Sequence, residues 1–211
     1  MRNFLHCKKL LYKRRFFCYN VLVHKKAKED FTMSNIWHDI DVERITPKDF
    51  FAVVEIKKGS KNKYELDKKT GLLRLDRILY TSTHYPANYG FIPRTYANDN
   101  DPLDVLILSS EEIDPMVLVR CYPIGVIKMV DDEHWDEKII AIPFSDPMYN
   151  TYKDISELPN HVSDEMRHFF TVYKSLENMS TAVQEVKDHT EAEKIIEEAM
   201  EIYKREFYYI R

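Results

Sequence analysis

The change of period at Pro159 constrains this chain more than any other feature. Before it, short apolar runs recur between turn signals roughly every ten residues, the spacing of an all-β succession. Phe51–Ile56, Lys63–Leu66, Leu72–Tyr80, Val105–Leu108, Met116–Arg120, Ile124–Val130 and Ile139–Ile142 each read as a strand. Beyond Pro159 the apolar residues recur at about 3.6-residue spacing. Ser163 opens a helix whose stripe is Met166, Phe169, Phe170, Val172, Tyr173 and Leu176. A last helix opens at Thr190, with Glu193 three residues on as a capping box, and buries Ile195, Ile196, Ala199, Ile202 and Tyr203. Strands followed by helices give an α+β fold, a small closed or nearly closed β-barrel with two main helices packed outside. No internal repeat is visible.

At 211 residues the chain suits a single domain with a proper core. Its charge is uneven. Residues 1–33 hold nine Lys/Arg and two acids, the remainder twenty-two Lys/Arg and thirty-three acids. The first segment therefore reads as a basic extension, either a disordered tail or an organelle-targeting leader, and the domain as residues 34–211. An acidic body argues against nonspecific nucleic-acid binding. Three cysteines, Cys7, Cys18 and Cys121, permit neither a disulfide framework nor a zinc quartet, and favour a reducing, cytoplasmic compartment. No apolar run is long enough for a bilayer. Only four glycines (Gly59, Gly71, Gly90, Gly125) are present, too few for a Walker or dinucleotide loop. Phosphate would have to be bound by side chains and metals.

Two acidic segments stand at strand ends. Asp99-Asn100-Asp101-Pro102-Leu103-Asp104 runs into the Val105 strand, and Asp131-Asp132-Glu133-His134-Trp135-Asp136 separates two others. Asp and Asn are turn formers for backbone reasons alone, so a solvated turn is one reading of the first. The other is a divalent-cation site, since clustered carboxylates raise one another's pKa unless something positive sits among them. An EF-hand fails, because its sixth and twelfth positions would be Asp104 and Ser110. Asp131 ends one strand and Asp136 begins the next, where a hard cation can be shared.

The body also carries Glu55 inside its first strand, Lys63, Lys138, Lys174 and an aromatic loop, Tyr85–Phe91. Arg77 falls in step with Leu73, Leu75 and Leu79, so its guanidinium needs either an internal carboxylate or an anionic ligand. Carboxylates with basic side chains and tyrosines suit a polyanionic phosphate held between divalent cations. Such ions acidify a shared water and clamp an in-line displacement.

Asp99-x-Asp101-Pro102-x-Asp104 resembles the signature of the soluble family I inorganic pyrophosphatases. The resemblance extends from about Ile40 to about Glu177. It takes in Val54-Glu55-Ile56, Lys63-Tyr64-Glu65-Leu66-Asp67, Asp76-Arg77, Tyr85-Pro86-x-Asn88-Tyr89-Gly90, Pro123-x-Gly125-Val126, Asp131 with Asp136 and Lys138, and His168-Phe169-Phe170 with Tyr173-Lys174. It implies Mg²⁺-dependent hydrolysis of pyrophosphate to two phosphates on an OB-like five-stranded barrel, in a homo-oligomer. It further implies Asp99, Asp104, Asp131 and Asp136 as metal ligands, with Glu55 placing further metal or its waters. Asp101 would be the general base. Lys63, Arg77, Tyr89, Lys138, Tyr173 and Lys174 would hold the phosphates. The chain departs from the family at Asp132, where a Glu is usual. A single-stranded nucleic-acid module on an OB-like barrel, and a Ca²⁺-stabilised structural barrel, are the competing expectations.

Overall fold

The computed structural model describes residues 35–131, 134–177, 179 and 181–208. The reading of residues 1–33 as a basic extension lies outside them, as does Asp132.

Nine strands carry the fold: β1 (Ile45–Thr46), β2 (Asp49–Ile56), β3 (Asn62–Leu66), β4 (Leu73–Ile78), β5 (Asn88–Phe91), β6 (Asp104–Ile107), β7 (Leu118–Asp131), β8 (His134–Pro143) and β9 (Thr181–Asp188). The helices are a four-residue α1 (Ile36–Asp39), α2 (Asn160–Val172) and α3 (His189–Glu206). One sheet runs β1-β2-β5-β6-β8-β7-β9, and β2 pairs again with β7. The strands β2-β5-β6-β8-β7 thus close into a five-stranded ring, the OB-like barrel expected from the sequence. The β6–β8 pairing is parallel and the others in the ring are antiparallel. The β3–β4 hairpin forms a separate two-stranded sheet.

The period-2 pleat sorts each strand's apolar residues to two sides. Val105, Ile107, Val126, Ile139 and Ala141 pack with Ala192, Ile195, Ile196, Ala199 and Met200 of α3. Their sequence neighbours Leu106, Ile127, Ile140 and Ile142 pack with Met166, Phe169 and Phe170 of α2. Where β2 crosses β5 the backbones nearly touch: a Cβ on Gly90 would stand 1.8 Å from the Val53 carbonyl oxygen.

Several boundaries differ from the sequence expectation. The runs expected at Met116–Arg120 and Ile124–Val130 merge into one strand, β7, which starts at Leu118. Pro123 does not break it, because the register shifts between Pro123 and Gly125 and a bulge needs no donor there. Strand β8 already begins at His134, so Asp136 sits inside it, opposite Met129. Helix α2 begins at Asn160 and ends before Leu176, which is exposed. Helix α3 is capped by Asp188, whose side chain accepts from Glu191 N–H, two residues ahead of the expected capping box at Thr190. Strand β9 was not foreseen. It alternates exposed and half-buried residues along β7 and carries little apolar signal.

Candidate active site

The pleat that sends Leu106 and Ile140 toward α2 also sends Asp104, Asp136 and Lys138 to that same side. The parallel register puts Asp104 beside Lys138, and Tyr89 of β5 lies opposite Leu106. Lys138 is the hub. It is buried, and its Nζ donates to Asp104 Oδ2 at 2.8 Å, to Asp136 Oδ1 at 3.0 Å and to the Tyr89 hydroxyl at 3.0 Å. Tyr89 in turn donates to Asp104 Oδ2 at 2.5 Å. Burial works against the Lys138 charge, but the Asp104 and Asp136 carboxylates outweigh it and raise its pKa well above the usual lysine value.

Asp131, at the end of β7, accepts from Lys174 Nζ at 2.5 Å and from the Tyr173 hydroxyl at 3.3 Å. Its other oxygen, Oδ1, is buried without a hydrogen-bond partner among the described residues. Tyr173 and Lys174 follow directly on α2 and are carried by its apolar stripe.

The first acidic segment is both a turn and a wall of the site. Asn100 takes a left-handed φ of 67°, and Asp99 Oδ1 accepts from Asp101 N–H at 3.1 Å. Asp101 is half exposed and ion-paired with Lys68 of the β3–β4 turn. Asp99 is exposed at the rim as a residue. Burial of its carboxyl, then the Asp104 charge, nevertheless pushes its pKa up to about 6. Burial chiefly, then Asp104, pushes Glu55 up to about 8. Glu55 falls where the register of β2 against β5 shifts between Val54 and Ile56. Its Oε1 accepts from Leu66 N–H at 2.7 Å, which ties the hairpin to the barrel. Lys63 pairs with Glu65 at 2.6 Å.

All of these side chains line one cleft of about 560 Å³. Glu55, Lys63, Tyr89, Asp99, Asp101, Asp104, Asp131, Asp136, Lys138, Tyr173 and Lys174 come together there. Arg77 does not line it. The face that Arg77 was expected to share is not core, since Leu75 is exposed. The guanidinium instead meets Asp76 at 2.5 Å and Glu177 at 2.8 Å. Of the two readings left open for Arg77, an internal ion pair is the one observed. The cleft also has walls that sequence reasoning missed, Trp37, Arg74 and Lys68, and Tyr85 of the aromatic loop lines it too.

The donor set suits a hard cation. The acids at the cleft offer only oxygen, three of them (Glu55, Asp99 and Asp136) are pushed up chiefly by burial and also by neighbouring carboxylates, and Asp131 keeps an unpartnered oxygen. Among the described residues no three Asp, Glu, His or Cys side chains converge within reach of one ion. Lys138 and Lys174 hold the carboxylates instead.

Comparison with known proteins shows which family the chain belongs to. The family model described as inorganic pyrophosphatase matches residues 52–204. Soluble inorganic pyrophosphatase 1 of Arabidopsis thaliana is 48% identical over 167 residues, covering 79% of each chain. A solved inorganic pyrophosphatase from Thermus thermophilus is 34% identical with a TM-score of 0.77, over 81% of this chain and 99% of that one. The Helicobacter pylori inorganic pyrophosphatase is 40% identical with a TM-score of 0.75, over 79% and 99%. This chain belongs to the inorganic pyrophosphatase family. The nucleic-acid module considered from the sequence finds no support in these comparisons.

Proposed function

We propose that the cleft hydrolyses inorganic pyrophosphate to two phosphates with Mg²⁺ bound among its carboxylates. One observation carries the reading: Lys138 Nζ lies within 3.0 Å of both Asp104 and Asp136, carboxylates that come from two acidic segments far apart in sequence. Asp99, Asp104, Asp131 and Asp136 would hold the cations, with Glu55 behind them. Bound Mg²⁺ would neutralise the diphosphate and make a water more acidic.

The side chains supply the rest. Asp101 is exposed enough to meet water and takes its proton on a carboxylate oxygen. Lys63, at the hairpin wall, and Lys174, at the end of α2, bind phosphate oxygens as point charges. Tyr89 and Tyr173 direct their hydroxyls by way of Asp104 and Asp131. Lys138 fixes the two carboxylates and, with Arg77 from the hairpin, offsets charge gathering on the leaving phosphate. Phosphoryl transfer asks for positioning and charge neutralisation more than covalent chemistry.

The same proposal assigns the catalytic domain to residues 34–211, supported by the compact unit Ser34–Arg211 and the family match within it. Residues 1–33 are then a basic extension. Cytoplasmic residence is included, since the Arabidopsis relative is named soluble and no described helix is long and apolar enough to cross a membrane. A homo-oligomer is included as well, supported by Leu72, Leu75, Ile78 and Tyr80 exposed in and beside β4. The test of function is phosphate release: two phosphates per pyrophosphate with Mg²⁺ and none with a chelator. Absence of chelator-sensitive release overturns the reading.

A further inference from the structure

Glu177 has no part in the chemistry above, yet its pairing with Arg77 is unusual in its surroundings. Glu177 is a nearly buried carboxylate, its side chain 8% exposed, three residues beyond Lys174. Its N–H donates to the Lys174 carbonyl at 2.9 Å, so both belong to one turn. Arg77 neighbours Lys63 across the hairpin ladder. The pair therefore bridges two walls of the cleft, the β3–β4 hairpin and the turn after α2.

Arg77 already has a counter-ion in Asp76, which Nη1 reaches at 2.5 Å. Glu177 is a second anion on the same guanidinium, and a poorly fitted one. Arg77 Nε and Nη2 and Glu177 Oε1 are all buried without a hydrogen bond among the described residues, although Nε and Glu177 Oε2 stand 2.8 Å apart. A buried ion pair with unmet hydrogen bonds stabilises a fold little. It does present to the guanidinium the charge and the paired oxygens that a phosphate would.

We propose that Glu177 is a positioning residue that acts through Arg77, competing with phosphate for the guanidinium and so hastening product release. The inference rests on the proposed phosphate-binding role of Arg77. Phosphate arriving beside Lys63 draws the guanidinium off Glu177, and Glu177 reclaims it when phosphate leaves.

The test uses the full chain with Mg²⁺, measuring the affinity for inorganic phosphate by calorimetry alongside KM and kcat for pyrophosphate. Glu177→Gln keeps shape and removes the competing charge, and Asp76 still compensates Arg77. Phosphate should bind about two- to fivefold tighter, the scale of one partly screened ion pair. KM should fall by a similar factor, and kcat should fall with it as release slows. A structural brace would instead raise KM. The Arg77→Met variant should weaken phosphate binding, and should erase the effect of E177Q in the double variant. If R77M weakens binding while E177Q leaves it unchanged or weaker, this inference alone is overturned. If R77M has no effect, the role of Arg77 beneath it falls as well. Should E177Q fail to fold, Glu177→Asp decides. Withdrawing the carboxylate by one methylene is expected to tighten phosphate about twofold, and unchanged or weaker binding refutes the proposal.

Discussion

Replacing Lys138 by Met removes the single cation that two acidic segments share, which makes it the sharpest probe of how the site is held together. The side chain is 3% exposed, Asp136 14% and Asp104 26%, so little water can replace the ammonium. Removing one partner of a buried pair costs about 3–5 kcal/mol. The partial exposure of Asp104 lets it rehydrate, which places the expected loss near the low end, about 3 kcal/mol. Urea denaturation at pH 8 in chelator measures it. Adding Mg²⁺ should then stabilise the variant more than the parent, because the freed carboxylates attract the ion more strongly. A cation bound only by the folded chain contributes about 2.7 kcal/mol at a hundredfold excess over its Kd, enough to offset most of the loss. A loss under about 1 kcal/mol would refute the premise that burial makes this pair strong. An equal Mg²⁺ gain in both proteins would refute the premise that these carboxylates are cation ligands.

Asp101→Asn should abolish turnover while pyrophosphate still binds; isothermal titration beside a phosphate-release assay separates the two, and lost binding with normal turnover per bound substrate contradicts the base role. A second expectation concerns the brace at the start of α3, where His189 Nδ1 lies 2.8 Å from Asp154 Oδ2. The hydrogen bond to Asp154 raises the His189 pKa, so its stabilisation is complete below 6.5 and is lost as pH climbs through the raised value. Burial tends to raise Asp154, but hydrogen bonds from Ser156 and His189 outweigh it and hold the carboxyl well below the usual range. That contribution is complete above 3.8 and is lost as pH falls toward the depressed value. His189→Gln should thus cost about 0.5 kcal/mol near pH 5.5, discounted for the imidazole's exposure, and almost nothing by pH 9; a loss that grows with pH would contradict the assignment.

Much of the fold was legible because strand and helix periods differ and the change of period at Pro159 marks the start of α2. Glu55, Asp104 and the apolar stripe of α2 sit on elements that the sequence announced. Their convergence was not legible from pattern. The parallel β6–β8 pairing brings Asp104 to Lys138, and no local signal reports which strands become neighbours. The family resemblance supplied that link. Pro123 misled because a bulge excuses a proline that an ordinary ladder would not. Strand β9 was hidden by its polar residues, which suit an edge. Arg77 was judged to lie on an apolar face. The hairpin stands off the barrel as its own sheet, however, leaving Leu75 in solvent and the guanidinium among carboxylates.

The central claim is that the Asp99–Asp104 and Asp131–Asp136 segments hold divalent cations in common. Crystals soaked in Mn²⁺ test it most directly, through anomalous scattering at the metal. The account predicts peaks inside the cleft, in contact with carboxylates from both segments. Peaks bound by only one segment, or none within the cleft, would contradict it.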